Sequence, residues 1–262
     1  MSAEMLLSHV LQTSRLKLYM DSDRPASEVE RAALRDLVER AGAHEPVDYL
    51  VGWAPFMAMN FKVSPAVLIP RPSTETLVEH VLQHARRTPG FTNPVIADIG
   101  TGSGCIAISL AKNLPNSRVI ACDLSSQALA VAAENAKTHG VMDQIDFRQG
   151  SLWEPLAGVR AKYIVSNPPY ISDAEWSAVE PNVKNYEPVT ALRGGADGLD
   201  LIRPLLEMAT QYLDRPGQLV IEIAASQKNA VLELAHDTTG LTNPRVLADH
   251  EGLPRILVAD AL

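Results

Sequence analysis

Val95-Ile96-Ala97-Asp98-Ile99-Gly100-Thr101-Gly102-Ser103-Gly104 is the stretch whose reading settles the fold class. Its first five residues are nearly all apolar and partly β-branched, the pattern of a strand buried on both faces. Three alternating glycines then stop it. Glycine tolerates left-handed backbone and lets peptide N–H groups come close to a ligand, so the run reads as a tight turn. Cys105 to Asn113 follows, with Ile106, Ala107, Leu110 and Ala111 on one helical face. The turn therefore opens onto a helix N-terminus, a place where backbone donors face outward.

The same alternation continues downstream. Arg118 to Asp123 reads as a second strand ending in an acid, and Ser125 opens a helix that runs to His139-Gly140. Gln144 to Gln149 and Lys162 to Ser166 read as a third and a fourth strand, residues 197–213 as a helix, and Gln218 to Ala224 as a fifth strand. Gln227 to Ala235 is a further helix and Arg255 to Ala259 a final strand. Strands alternating with helices imply an α/β fold with a parallel, doubly wound sheet.

Asp123 lies 19 residues beyond Gly104, at the tip of the second strand. An acid there meets a ribose diol. Two cofactor classes use this geometry, dinucleotides and S-adenosylmethionine. The dinucleotide fingerprint is Gly-x-Gly-x-x-Gly; this chain has Gly-x-Gly-x-Gly with Ala107 further on, and Asp98 stands two residues before the turn. An acid beside the turn repels a pyrophosphate and suits a cationic amino-acid group. The combination favours S-adenosylmethionine.

At the end of the fourth strand stands Ser166-Asn167-Pro168-Pro169-Tyr170. Two prolines cannot continue a central ladder, so the strand stops there. Asn167 supplies an amide, Pro168 a carbonyl whose direction the ring holds nearly constant, and Tyr170 a flat face. Two acceptors and a ring suit a planar target bearing an NH2 group, such as a carboxamide or an exocyclic base amine. Alone, the stretch could equally be a turn.

Upstream, residues 1–45 read as a small helical lobe. Leu6, Leu7, Val10 and Leu11 fall at helical spacing, Asp23-Arg24-Pro25 marks a helix entry, and Val29, Ala33, Leu34, Leu37 and Val38 form a stripe expected to be core, with Gly42 as its C-terminal cap. Residues 46–72 read as a β-hairpin linker that includes Tyr49 to Gly52, and residues 73–262 as the main domain. Ser73 is expected to cap the next helix. His80 and His84 have zinc-like spacing without the intervening glutamate of a metalloprotease, so they read as a solvated face, and no metal is expected. Thr88-Pro89-Gly90 marks the break before the sheet.

The chain carries 23 Lys and Arg against 31 Asp and Glu, a net charge of −8, with 46% hydrophobic residues. That balance argues against broad binding of nucleic acid, which needs a basic footprint. The start, Met1-Ser2-Ala3-Glu4, has no cationic region followed by an apolar core, and no stretch approaches the ~18 apolar residues of a membrane span. A cytoplasmic location is expected. Cys105 and Cys122 lack metal or redox spacing and read as buried packing residues.

Four segments together resemble the HemK/PrmC family. They are Leu68 to Glu75, Asp98 to Gly104, Val165 to Tyr170, and Tyr186-Glu187-Pro188 with Gly194-Gly195 and Asp197-Gly198-Leu199. The resemblance implies a class I S-adenosylmethionine-dependent methyltransferase with a Rossmann-like, mostly parallel seven-stranded sheet. It further implies methylation of the glutamine N5 in the Gly-Gly-Gln motif of peptide chain release factors. By the same resemblance Asp98, Gly100, Thr101, Gly102, Ser103, Gly104 and Asp123 contact the cofactor, Leu152 flanks its adenine, and Asn167, Pro168, Pro169 and Tyr170 hold the glutamine, with Asn167 also near the cofactor. A monomer is expected, with the release factor as partner and neither membrane nor nucleic acid. The chain departs from the family at Ser73, Ser151 and Ala224, and its helical lobe reads as shortened. Glutamine methylation of a ribosomal protein, adenine-N6 methylation of nucleic acid, and a non-catalytic cofactor-binding scaffold are the alternatives.

Overall fold

Four helices open the chain: α1 (Ser2–Val10), α2 (Arg15–Met20), α3 (Glu28–Gly42) and α4 (Val47–Val51). The computed structural model describes residues 2–88 and 93–261. The expected break at Pro89-Gly90 therefore lies outside the described residues. Helix α3 begins later than Pro25 suggested, because Ser27 and Glu30 form a reciprocal capping box. It ends on Ala43, and His44, not Gly42, takes the left-handed conformation (φ 69°).

The stripe on α3 is mostly not core. Val29 is 79% exposed and Val38 53% exposed, and Ala33 is exposed too; Leu37 is buried against Leu6, Leu50 and Val51, with Leu34 packed at the edge. The helix touches its neighbours along a narrow line, so only part of its apolar set is covered. Tyr49 to Val51 are helical rather than part of the hairpin. Gly52, in left-handed backbone (φ 82°), ends that helix and turns the chain into the hairpin β1 (Trp53–Phe56) and β2 (Met59–Lys62). Met57 and Ala58 form its two-residue turn with both φ positive.

The main sheet follows α5 (Pro72–Arg87). In chain order its elements are β3 (Val95–Ile99), α6 (Cys105–Asn113), β4 (Arg118–Asp123), α7 (Ser126–Thr138), β5 (Ile145–Gln149), β6 (Ala161–Ser166), α8 (Pro181–Lys184), α9 (Ile202–Tyr212), β7 (Leu213–Glu222), α10 (Lys228–Asp237), β8 (Thr242–Ala248) and β9 (Pro254–Ala261). Seven strands lie in the order β5-β4-β3-β6-β7-β9-β8, parallel except that β9 runs antiparallel to β7 and β8. This is the sheet that the family resemblance implies.

Alternation along the strands builds two cores. Ile96, Tyr163, Val165 and Val220 pack on one side with Leu77, Val81 and Leu110 from α5 and α6. Ala97, Ile99, Ile164, Leu219 and Ile221 pack on the other with Ile202, Leu205 and Val231 from α9 and α10. Side chains two apart share a face, so one strand serves both layers. Burying each Ile or Leu contributes about 1.5–3 kcal/mol.

Three further expectations are revised. Residues 197–201 form a loop, and the helix begins only at Ile202. Ser73 is the second residue of α5, whose N-cap is Arg71; its hydroxyl reaches across to Glu222 at 3.0 Å instead of capping. His80 and His84 are half-buried and bond to the sheet, His80 to Gln218 at 3.1 Å and His84 to the Tyr163 hydroxyl at 2.7 Å, so they are not a solvated face. Among the described residues no helix is long and apolar enough to cross a membrane.

Candidate active site

The chemistry-bearing residues collect at the C-terminal ends of β3, β4 and β6. β3 lies between the other two, with Ile99 in register with both Cys122 and Ser166. The Ser166 hydroxyl donates to the Ile99 carbonyl at 2.7 Å, which locks the first and fourth sequence-predicted tips side by side. The strand order thus brings the glycine turn and the Asn-Pro-Pro-Tyr segment together, in the crevice where open α/β sheets bind ligands.

The glycine turn is held from three sides. The Gly100 and Thr101 N–H groups both donate to the Cys122 carbonyl at 2.8 Å, and Gly102 N–H donates to Asp123 Oδ2 at 2.9 Å. Gly100 and Gly102 have φ of 75° and 56°, a region that disfavours side chains. A Cβ on Gly104 would lie 2.9 Å from Ile108 Cδ1 and 3.1 Å from Ala132 Cβ, so the third glycine serves helix packing. Asn135, buried in α7, accepts from Lys62 N–H and donates to the Lys62 and Ser103 carbonyls, tying the hairpin to the turn.

A cavity of about 510 Å³ opens over these tips. Of the residues expected to meet the cofactor, Gly100, Thr101, Gly102, Ser103, Asp123, Leu152 and Asn167 line it, with Pro168 and Pro169. Asp98 and Gly104 do not: they lie behind its wall. Leu152 takes a left-handed backbone (φ 46°). Asp123 Oδ1 accepts from Ser125 N–H, and each carboxylate oxygen keeps a second lone pair for a ligand hydroxyl. The residues present fit a nucleoside-bearing cofactor: an acid at the β4 tip, an apolar floor, and a backbone cradle that needs glycine.

Asp98 is wholly buried. Its Oδ2 accepts from the Thr101 hydroxyl at 2.7 Å and Ala107 N–H at 3.2 Å, while Oδ1 has no hydrogen-bond partner among the described residues. Burial pushes this carboxyl up to about 7, against those two hydrogen bonds, and the charge of Asp123 adds to the rise. An acid raised in the native state keeps its proton there after the unfolded chain has released it. Stability therefore falls as pH rises from about 4, the unfolded value, to about 7, and the full cost is present above that window. Asp98→Asn is expected to remove this slope. Melting curves of both proteins across the window check it: parallel pH dependences would sink the assignment.

The amide of Asn167 is half-buried, and its Nδ2 donates to the Thr74 hydroxyl oxygen at 3.2 Å. Among the described residues no group donates to its Oδ1, and none donates to the Pro168 carbonyl. Tyr170 is tied by its hydroxyl to Glu222 at 3.3 Å, and its ring helps wall a smaller cavity of about 90 Å³ with Leu68, Arg71, Asn167 and Pro168. Arg71 pairs with buried Glu187, which also accepts Ile69 N–H at 3.0 Å, so the segment before α5 is pinned to the loop after Tyr186. Cys105 and Cys122 are free and buried as expected; burial pushes both thiols up to about 12.

Thr74, Glu187, Glu222 and Gln227 went unassigned at the level of sequence. For Glu222 a signal existed: an acid ends an otherwise apolar strand, as Asp123 does. Thr74 and Glu187 lie inside segments that carry the family resemblance, but no role follows for Thr74 from its type, since a threonine in a first helical turn is ordinary.

A release factor glutamine methyltransferase from Geobacter sulfurreducens is 41% identical over 257 residues, covering 98% of this chain and 88% of that one. The chain belongs to the release factor glutamine methyltransferase family. A second member, from Moorella thermoacetica, is 40% identical over 99% of this chain and 90% of its own. The family described as methyltransferase small domain matches residues 72–183, and the PrmC N-terminal domain matches residues 1–52. A crystal structure of a methyltransferase from Pyrococcus furiosus superposes with a TM-score of 0.56 at 14% identity, covering 87% of this chain and 97% of that one, a likeness of fold. Membership makes the protein a methyltransferase with S-adenosylmethionine as its cofactor.

Proposed function

We propose that this chain methylates the side-chain nitrogen N5 of the glutamine in the Gly-Gly-Gln motif of peptide chain release factors, and so modulates translation termination. The orientation of the Asn167 amide carries the reading: its nitrogen faces Thr74 and donates one N–H to it, and its oxygen is left as an acceptor at the β6 tip.

A carboxamide nitrogen is a poor nucleophile, because its lone pair is delocalised into the carbonyl. S-adenosylmethionine, when bound, supplies an activated methyl group. The chain's own task is alignment. Asn167 Oδ1 and the Pro168 carbonyl accept the two N–H hydrogens of the glutamine, which turns the nitrogen lone pair outward and stabilises the positive charge that grows on it. The ring of Tyr170 holds the amide plane. The 90 Å³ cavity beside the clamp, with Leu68, Ile171 and Leu192 in its wall, suits the methylenes of a glutamine side chain. No general base is required before transfer, since the alkylated nitrogen releases its proton to water afterwards. Alignment of this kind is worth up to ~7–11 kcal/mol in ideal systems.

In this reading the enzyme is a cytoplasmic monomer whose partner is the release factor and not nucleic acid. Residues 1–45, with α4 packed on them, form a docking lobe, the hairpin and the segment up to residue 72 a linker, and 73–262 the methyltransferase domain, with Gly104 and Asp98 supporting the cofactor cradle from behind. Incubating a release factor with the protein and S-adenosylmethionine is expected to add the mass of one methyl group to the Gly-Gly-Gln glutamine, read by peptide mass spectrometry. Transfer of labelled methyl to an oligonucleotide or a ribosomal protein, with the release factor left untouched, would overturn the assignment.

A further inference from the structure

Glu222 ends β7 with no exposed surface, in the strand next to β6. A buried carboxylate needs compensation. Here it comes from hydroxyls: Thr74 donates to Oε2 at 2.5 Å, and Ser73 and Tyr170 donate to Oε1 at 3.0 and 3.3 Å. Burial raises the carboxyl, and the hydrogen bonds from Thr74, Ser73 and Tyr170 work against that rise.

The direction of these bonds has a consequence for the clamp. A threonine hydroxyl has one hydrogen. Thr74 gives it to Glu222, so toward Asn167 its oxygen can only accept, and only the amide nitrogen can face it. An asparagine rotated by half a turn would set two acceptors against each other with no hydrogen between them. The Glu222 carboxylate thus decides, through a single hydroxyl, which end of the Asn167 amide points away from α5. Its other oxygen holds the Tyr170 hydroxyl directly. Two residues of the clamp take their orientation from one buried group on a neighbouring strand.

We propose that Glu222 is a positioning residue for methyl transfer, fixing the Asn167 amide through Thr74 and the Tyr170 ring through its hydroxyl. The proposal rests on the reading of Asn167 as the substrate clamp. The test is steady-state transfer of labelled methyl from S-adenosylmethionine to a purified release factor by the full chain, with kcat and KM measured separately and cofactor affinity measured by calorimetry. Thr74→Val, nearly isosteric, is expected to lower kcat about tenfold with KM and cofactor affinity within about twofold, the size of one hydrogen bond. Thr74→Ser, which keeps the relay, should return kcat to within about threefold of the parent. Glu222→Gln should lose at least as much as Thr74→Val, because a carboxamide cannot accept from all three hydroxyls. In an Asn167→Ala background Thr74→Val should cost less than about threefold, since coupled residues are not additive.

Wild-type kcat in Thr74→Val or in Glu222→Gln would overturn the proposal. Failure of serine to rescue would do so too, as would an undiminished loss in the Asn167→Ala background. Wild-type kcat in Asn167→Ala alone would instead overturn the clamp itself, so the two failures are told apart.

Discussion

Asn167→Ala is expected to lower turnover by about 10²-fold or more, the cost of one missing contact to charge that develops in the transition state. Cofactor affinity is expected to change far less. Asn167 forms one part of a cavity wall that also contains Gly100 to Ser103, Asp123 and Leu152, and the cradle at β3 and β4 is held by its own bonds to Cys122 and Asp123. The loss should therefore fall on kcat. Single-turnover rates and calorimetric cofactor binding, measured on the same preparation, separate the two. A collapse of cofactor binding with normal turnover per bound cofactor would show that the asparagine serves the cofactor and not the substrate.

The second large effect is expected at a glycine that lines neither cavity. Gly198 has a φ of 79°, and a Cβ placed there would lie 2.3 Å from the Tyr170 carbonyl oxygen and 2.3 Å from Gln227 Nε2. Gln227 donates from that same nitrogen to the Tyr170 and Gly198 carbonyls at 3.0 and 3.1 Å, so loop 194–200 and the end of the Asn-Pro-Pro-Tyr segment are bolted to one buried amide. Gly198→Ala meets left-handed strain and a backbone clash together, and is expected to destabilise the fold by about 2–5 kcal/mol. Because the obstructed atom belongs to Tyr170, kcat should fall as well, even under conditions where the variant stays folded. Urea denaturation and methyl-transfer kinetics check both parts; an unchanged midpoint would mean that the loop can move away from Tyr170 without cost.

The elements that could be read from the chain are those whose residues carry their own local signal. The bounds of β3, α6 and β4 were legible because apolar runs of about five residues, a glycine turn and a one-sided helix leave little choice. The strand β8 was not legible: Thr242 to Ala248 contains a proline and no clean alternation, because an edge strand is half-exposed and needs neither. The hairpin turn was equally silent. Met57 and Ala58 both adopt positive φ, where glycine or asparagine would announce a turn. On α3 the apolar stripe misled in the opposite direction, since a regular pattern says which residues could be buried and not whether anything covers them.

For this protein, residue order alone determined a doubly wound sheet, a glycine cradle with an acid one strand further on, and an Asn-Pro-Pro-Tyr stop at a strand end. Each follows from backbone freedom or side-chain chemistry within a few neighbouring positions. Tertiary structure alone decided that the cradle and the stop share one edge, that Asp98 lies behind the cavity wall, and that Asn167 turns its oxygen away from α5. That last choice rests on Thr74 and Glu222, 93 residues before Asn167 and 52 residues after Tyr170. A hydrogen bond's direction depends on which partner holds the proton, and the partners meet only once the strands are in register.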